Sequence, residues 1–447
     1  MNDYEQYLGT WTGPAPATVG GPVRITVRGV SASGAPEVVL GFEALGGPTP
    51  LTGVTVADGR LTGTMGPTLL SLERTGHTLK GSLTSSVLPG LAFELRRGHP
   101  MDAVFASPRR TLAADARPDR QASPTAAALT GAVEDGRLPW VDSLHLIEGG
   151  ETVLEEYFYG RTPDGLHSLQ SATKSITALL FGTLVAEGAV DLDVPAGRYL
   201  KHREGTRWID EAYGVTSHEL LSMSAGLDWD EVERPYSDPD NDATRMNGAP
   251  DWIEFVLNTP LGARRRPGDF VYQSGLSLLM GELVRAVTGL PVPEAARRRL
   301  FEPLGIERFH WMTMPDGTCH TGGGLWLTPR DFAKFGRLVL DGGVWEGRRV
   351  LPAEWIRRSV TEQSAPAGPH PLVPRMAAYG YQWWLLDTPA PDGGTVRSAS
   401  ALGHGGQIMH ILPDTGTAVV ATAHDWLGAS ELTDALLDLV LHPGDGR

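Results

Sequence analysis

A serine and a lysine stand three residues apart, as Ser171 and Lys174, at the start of an apolar run. Positions i and i+3 share one face of a helix, so the Lys174 amine can reach the Ser171 hydroxyl. Serine is a weak nucleophile until a base takes its proton; arginine cannot act as that base, whereas a desolvated lysine can. Lys174 is also one of only four lysines among 38 basic residues. We interpret Ser171 as a candidate nucleophile and Lys174 as its base.

A tyrosine and a second serine form another short motif, Tyr272-Gln273-Ser274, just before a strongly apolar segment. A phenol close to an amine can pass protons between reacting groups, and the Ser274 hydroxyl would extend the same relay. A single tyrosine at a turn is more often a half-buried aromatic residue. The catalytic interpretation of Tyr272 therefore depends on the other motifs.

Glycines surround His404, directly before a strand-like run at 408–412, a turn at 413–416 and a second apolar run at 417–423. This pattern predicts an antiparallel hairpin whose first strand opens with glycines. Glycine at a strand edge allows a substrate to lie against the backbone.

An oxyanion hole is expected at this hairpin. We predict that the N–H of Gln407, beside Gly406, pairs with the N–H of Ser171 to bind a developing negative oxygen. A second His-x-Gly occurs at His320. We favour His404, because it enters a strand with an evident partner, while His320 leads into a glycine-rich loop.

Taken in order, Ser171-x-x-Lys174, Tyr272-x-Ser274 and His404-x-Gly406 resemble the three motifs of the penicillin-recognising serine enzymes. These comprise β-lactamases, DD-peptidases and the related esterases and 6-aminohexanoate-dimer hydrolases. The runs at 220–229, 301–306 and 322–336 are similar to the esterase and amide-hydrolase branch, so the resemblance spans roughly residues 130 to 443. It implies an α+β fold of the β-lactamase/transpeptidase type, an antiparallel sheet flanked by helices plus a helical lobe, with the serine at their junction.

Two departures from that pattern bear on substrate. His404 stands where β-lactamases carry lysine, so the grip on a substrate carboxylate is weaker at neutral pH and efficient β-lactam hydrolysis is not expected. Ser274 stands where many β-lactamases carry asparagine, which is similar to the nylon-oligomer amidase branch. Trp229 is a candidate for lining an apolar cleft, although buried tryptophans more often belong to the core.

Residues 1–98 differ in composition from the rest of the chain. They are rich in glycine and threonine, with short alternating runs between turn residues, which predicts a separate small all-β barrel domain. The opening run at 8–13 resembles lipocalin-like modules. Residues 99–125 are interpreted as a linker and 126–447 as the hydrolase domain.

Composition narrows the function classes. A net charge of −15 without a basic cluster argues against nucleic acid and against anionic membrane surfaces. The single cysteine, Cys319, cannot form an intramolecular disulfide. We find no zinc-protease histidine pair, phosphate loop or dinucleotide motif, so no metal or cofactor is implied. The first residues lack the pattern of a signal peptide, and we expect a cytoplasmic protein.

Three functions remain open from the sequence. The leading hypothesis is a hydrolase of a small ester, amide or peptide, acting through a Ser171 acyl-enzyme. An acyltransferase, peptide cyclase or transpeptidase would share the first half-reaction. A non-catalytic binding protein on the same scaffold is least favoured, because Lys174 and Tyr272 are both present. The substrate, its stereochemistry and the existence of a homo-oligomer stay undetermined.

Overall fold

The architecture was obtained as a computed structural model of the 447-residue chain. It describes residues 7, 9–14, 22–30, 36–42, 49–65, 68–75, 78–85, 91–96, 111–112, 123–138, 140–159, 161–211, 213–234, 236, 238–262, 269–314, 316–425 and 429–444. The chain divides into two compact units. One contains residues 1–110 with 424–427, and the other contains 111–423 with 428–447. Most of the predicted linker at 99–125 lies outside the described residues.

The first unit is all β, as predicted. Its strands are β1 (Gly9–Pro14), β2 (Pro22–Val30), β3 (Pro36–Phe42), β4 (Thr49–Pro50), β5 (Thr52–Ala57), β6 (Arg60–Met65), β7 (Thr68–Thr75), β8 (Thr78–Ser85) and β9 (Leu91–Arg96). They form one antiparallel sheet in the order β4-β3-β2-β1-β9-β8-β7-β6-β5. Alternate side chains such as Trp11, Ile25 and Leu70 are buried as its core, as the period of two in a pleated strand requires.

The predicted barrel is not closed. β4 and β5 are the two end strands of the sheet, and no ladder of hydrogen bonds joins them in the described residues. β4 is only two residues long and includes Pro50, which has no N–H to donate. β4 and β5 are also separated along the chain by Leu51 alone, which is too short a link for the two end strands to lie side by side and pair.

An eight-stranded antiparallel sheet forms the centre of the second unit, in the order β10-β12-β11-β22-β21-β20-β19-β18. Its strands are β10 (Thr111–Leu112), β11 (Val141–Glu148), β12 (Glu151–Tyr157), β18 (Met376–Tyr379), β19 (Trp384–Pro389), β20 (Thr395–Gly403), β21 (Gln407–Leu412) and β22 (Thr417–Ala423). The predicted hairpin at 408–423 is confirmed as β21 and β22. Both strands are buried throughout, because helices cover the sheet.

Short strands complete the unit: β13 (His167–Ser168), β14 (Phe309–Trp311), β15 (Leu325–Leu327), β16 (Val344–Trp345) and β17 (Arg348–Arg349). The sheet order of the first three is β13-β15-β14, and β16 pairs with β17. The β13–β15 pairing matters for function, because it fixes the chain just before Ser171 to the segment that follows residue 324.

The helices are α1 (Pro124–Glu134), α2 (Thr173–Ala186), α3 (Arg207–Asp210), α4 (Ser217–Leu221), α5 (Asp242–Asn247), α6 (Trp252–Leu257), α7 (Ser274–Thr288), α8 (Val292–Ala296), α9 (Pro329–Leu340), α10 (Ala353–Ser359) and α11 (Ala429–Leu441). Side-chain oxygens cap several of them. Thr216 forms a reciprocal capping box with Glu219 at α4, and Thr328 accepts from the N–H of Asp331 at α9.

The strands of the large sheet come from the beginning and the end of this unit's sequence, and the segment between them is mainly helical, which is the predicted α+β arrangement. The last helix in the described residues is α11. No single helix in the described parts of the chain is long and apolar enough to cross a bilayer; α7 and the following 292–304 segment meet that test only as a pair bent by 75°.

Helix α2, which carries Lys174, packs so closely on α10 that Gly182 has no room for a side chain. A Cβ at Gly182 would overlap the indole of Trp355, which is itself buried. In α1, by contrast, a Cβ at Gly131 would meet no atom within 4 Å.

We expect Gly182→Ala to destabilise the protein by about 1–3 kcal/mol through overpacking. The same exchange at Gly131 removes a flexible residue from a helix without a clash, and should be neutral or stabilising by up to ~1 kcal/mol. Urea unfolding of the two variants and the wild type measures both changes. Equal stability of the two variants would contradict the close packing of α2 on α10.

Candidate active site

Ser171 lies in a 3-10 turn, Gln170–Ala172, that leads directly into α2. The N–H of Leu169 donates to the carbonyl of Leu325 at 2.9 Å, which anchors the turn. Gln170 has φ +47°, a left-handed conformation that is uncommon for a residue with a side chain. Its amide donates to Ser168 Oγ at 2.9 Å. The nucleophile candidate therefore sits on a sharply bent backbone, at a helix N-terminus where N–H groups lack helical partners.

Lys174 is buried, and its amine has three contacts. Nζ lies 3.1 Å from Ser171 Oγ, donates to the carbonyl of Gly322 at 2.6 Å, and stands 4.9 Å from the ring centroid of Tyr272. The charged form of lysine has three N–H donors, and a hydroxyl, a carbonyl and an aromatic face account for its three directions; when the group loses one proton, the lone pair of the amine can face Ser171 Oγ. The predicted Ser171–Lys174 contact is present, and each of these partners is neutral.

The Gly322 carbonyl is placed by bonds between α2 and the loop before β15. Thr177 Oγ1 donates to Thr321 O at 2.9 Å, and the N–H of Leu325 donates to Thr173 Oγ1 at 3.2 Å. A Cβ at Gly322 would lie 3.3 Å from Ser274 O and 3.7 Å from Lys174 Nζ. Glycine at this position lets the loop pass between the lysine and the start of α7.

Tyr272 reaches the site from the segment that precedes α7. Its ring is mostly buried and stacks on Trp384 of β19, with centroids 5.3 Å apart and planes inclined by 25°. Trp384 in turn contacts the rings of Phe270 and Tyr379. The Tyr272 hydroxyl makes no hydrogen bond within the described residues. The Lys174 amine contacts the ring of Tyr272 and makes no hydrogen bond with its hydroxyl.

Ser274 is bound to a buried carboxylate, that of Glu231. Its N–H and its hydroxyl donate to the two Glu231 oxygens at 2.7 and 2.5 Å. Trp229 Nε1 and the Tyr236 hydroxyl donate to the same group, each at 2.9 Å. Four donors therefore converge on a group that only accepts. They join the start of α7 to the 229–236 segment and fix Tyr272, two residues earlier.

The predicted roles of Ser274 and Trp229 stay predictions. The Ser274 hydroxyl is held by Glu231, so a relay through it would have to interrupt that bond. Trp229 packs edge-on against Phe255 and is almost fully buried. Its indole N–H supports Glu231, which gives it a positioning role in addition to any contact with substrate.

His404, Gly405 and Gly406 form the turn between β20 and β21, and His404 is exposed. A Cβ at Gly403 would overlap the carbonyl oxygen of Leu169 and lie 3.2 Å from the N of Ala172. This close approach brings the turn to the Ser171 backbone. Gln407 opens β21 fully buried, with its side-chain amide donating to Gly405 O and Ala423 O at 3.1 and 2.7 Å. An oxyanion role for its N–H remains a prediction.

His320, the alternative histidine, packs behind the lysine. Its Cε1 would lie 3.2 Å from a Cβ at Gly323, and its ring meets that of Trp252 edge-on at 5.2 Å. Burial, together with the charge of Lys174, lowers the pKa of His320 to about 4. At neutral pH it is an uncharged support for the loop that carries Gly322.

Among the residues that the structure describes, no group of three or more His, Cys, Asp or Glu side chains is arranged to hold a metal ion. The chemistry available at the site is that of a hydroxyl, an amine and a phenol.

A serine and a lysine one helical turn apart, a tyrosine ring against the lysine, and a sheet-and-helical-lobe fold define a serine-enzyme scaffold of the β-lactamase/transpeptidase type. A family model described as "Beta-lactamase" matches residues 125–441, and the chain belongs to that family.

Relatives within the family include hydrolases. The chain is 30% identical over 295 residues to the 6-aminohexanoate-dimer hydrolase of Paenarthrobacter ureafaciens, covering 62% of this chain and 71% of the relative. One similar solved structure is EstCE1, described as a hydrolase with promiscuous acyltransferase activity. The TM-score is 0.55 and the sequence identity 16%, and the match covers 72% of this chain and 99% of the EstCE1 chain. A penicillin-binding protein homologue from Caulobacter crescentus has TM-score 0.54 and 18% identity, with coverages of 74% and 100%. These two structures support the fold.

The Glu231 carboxylate and the Gly322 carbonyl were not predicted from the sequence. Glu231 is one of 53 acidic residues, and no pattern distinguishes it. Gly322 carries a signal in hindsight, because three consecutive glycines indicate a close approach of backbone to another group.

We expect Glu231→Gln to destabilise the protein by about 1–3 kcal/mol, because the amide nitrogen would face donors and leave one or more unmatched. Displacement of Tyr272 should also slow acylation of Ser171 on the order of 10- to 100-fold. Thermal unfolding and burst kinetics with an activated ester measure the two effects. Glu204→Gln, at an exposed glutamate of the same lobe, is the matched control. Wild-type behaviour of Glu231→Gln would show that the network does not hold the site.

Proposed function

We propose that this protein is a serine hydrolase that cleaves a small ester or amide through an acyl-enzyme on Ser171. The observation that carries the proposal is the Lys174 amine, 3.1 Å from Ser171 Oγ and against the Tyr272 ring. One sequence relative is named a 6-aminohexanoate-dimer hydrolase, and this name supports an amide or ester as substrate.

In the proposed acylation, neutral Lys174 accepts the Ser171 proton while Oγ forms a bond to the substrate carbonyl carbon. The negative oxygen of the tetrahedral intermediate is bound by the N–H groups of Ser171 and Gln407. As the bond to the leaving oxygen or nitrogen breaks, Tyr272 donates a proton to it and recovers one from Lys174. The Gly322 carbonyl keeps the amine in place during both transfers.

Deacylation returns the enzyme to its starting state. A water molecule attacks the acyl carbon and its proton passes to Lys174. Lys174 then returns this proton to Ser171 Oγ as the bond from Oγ to the acyl carbon breaks, which releases the carboxylic acid. An amine or alcohol in place of water would give acyl transfer, so competition between acceptors distinguishes a hydrolase from a transferase, cyclase or transpeptidase.

The proposal includes a cytoplasmic location. Residues 1–98 are proposed to be a lipocalin-like module that serves stability or association.

Intact mass spectrometry after incubation with p-nitrophenyl acetate tests the nucleophile. We expect one acetyl group on the wild type, none on Ser171→Ala, and a matching burst of nitrophenol. Ser175→Ala is the matched control, since Ser175 is a buried serine in α2 and its hydroxyl donates to Gln382 O instead. It should acylate like the wild type.

The acid–base roles are tested by the acylation rates of Lys174→Arg and Tyr272→Phe. Arginine keeps its proton and phenylalanine has none to give, so each variant should acylate about 10²- to 10⁴-fold more slowly. An adduct on Ser171→Ala would overturn the nucleophile assignment. Absence of any adduct on the wild type would favour a non-catalytic binding protein.

A further inference from the structure

A cavity of about 240 Å³ opens beside Tyr272. It is bounded on one side by Phe270, Val271 and Tyr272, and on another by a loop at 366–371 that includes Pro366, Pro369 and Pro371. Each proline fixes its own φ and offers no N–H donor. The cavity is below the roughly 300–1,000 Å³ typical of pockets that enclose a whole drug-sized ligand, so it fits one part of a substrate.

Exposed apolar side chains occur in the lining of this cavity and in residues joined to it. Val271, a lining residue, is 39% exposed, and Leu372, the residue after the lining residue Pro371, is 49% exposed. The exposed side chain of Tyr236 is joined to the lining through its hydroxyl, which donates to Glu231. An exposed apolar cluster at a cleft is typical of a ligand-binding surface.

The charges on the cavity wall are negative. None of the lining residues described is lysine or arginine, whereas Asp230, Glu231 and Glu233 are acidic. Arg234 binds the Asp230 carboxylate and four donors bind Glu231, but the Glu233 side chain is exposed. Burial lowers the pKa of His370 to about 4, so this lining residue is uncharged at neutral pH. The wall therefore disfavours an anion.

We propose that this cavity binds the leaving group of the substrate and selects an uncharged, apolar alcohol or amine. The inference rests on the proposed function, in which Tyr272 protonates the departing atom. That atom must lie against the Tyr272 hydroxyl, so its substituents extend into the cavity that Tyr272 lines. The substrate class is an ester or amide with an apolar departing group, without a carboxylate at its far end.

The kinetic test uses phenyl acetates with 3-alkyl substituents of increasing length, because their phenols have nearly equal acidity. We expect kcat/KM for acylation to rise about threefold to fourfold per added methylene until the cavity is filled. A chain of the same length that ends in a carboxylate should react at least tenfold more slowly than the methyl-ended one. Lengthening the acyl group instead should give no comparable gain.

Two variants locate the effect. Ala367→Trp fills the cavity from an exposed loop position, and Val271→Asp adds a charge at its mouth. Each variant should reduce the rise of kcat/KM with the length of the alkyl chain on the leaving group. Leu69→Asp makes a matched exchange at an exposed residue of the other unit, and should keep the wild-type dependence. Normal acylation with no dependence on the leaving-group chain, or a dependence on the acyl chain alone, overturns the inference and leaves the proposed function standing.

A binding measurement separates the inference from catalysis. On Ser171→Ala, titration calorimetry with 3-butylphenol should show binding that Ala367→Trp weakens at least tenfold. Binding without acylation of the wild type would support the cavity assignment while the proposed function fails. No binding of 3-butylphenol to Ser171→Ala would overturn the assignment whatever the kinetics show.

Discussion

The site depends on a buried amine whose described partners are all neutral. Lys174 is enclosed, and a hydroxyl, a carbonyl and an aromatic ring take the place of a carboxylate. A polar group inside a protein must have its hydrogen bonds satisfied. The turn before α2 supplies the serine, the loop before β15 supplies the carbonyl, and the segment before α7 supplies the ring. Three distant parts of the chain are therefore required to meet at one nitrogen atom.

The segments that contact the amine are themselves held in place by hydrogen bonds between polar side chains and backbone groups. Thr173 and Thr177 bind the glycine loop, and Glu231 binds the first N–H of α7. Gly322 and Gly403 are used where two backbones approach within contact distance. Because Thr173, Thr177 and Glu231 are buried in one packed core, the catalytic groups need little movement to reach one another.

Local patterns in the sequence predicted those parts of the site whose geometry is local. The Ser171–Lys174 contact follows from helical spacing, and the hairpin of β21 and β22 follows from its turn residues and apolar runs. The α+β fold and its helical lobe came from resemblance over the whole second unit. The position of Glu231 could not be predicted, because a carboxylate 43 residues from Ser274 is brought to it only by tertiary packing. Closure of the first sheet was expected wrongly, since short alternating runs do not specify what the end strands pair with.

The left-handed backbone at Gln170 lowers the stability of the fold, and at the same time it holds Ser171 in position. A side-chain-bearing residue in that region of φ carries strain of order 1 kcal/mol or more, and the surrounding packing has to hold it. Glycine there would relax the strain and let the bend next to Ser171 sample other conformations. Selection for heat resistance alone would therefore favour glycine in place of Gln170. Selection for catalytic rate would favour a residue with a side chain, which keeps the bend next to Ser171 fixed. Stability and reactivity compete at a single peptide unit, one residue before the serine.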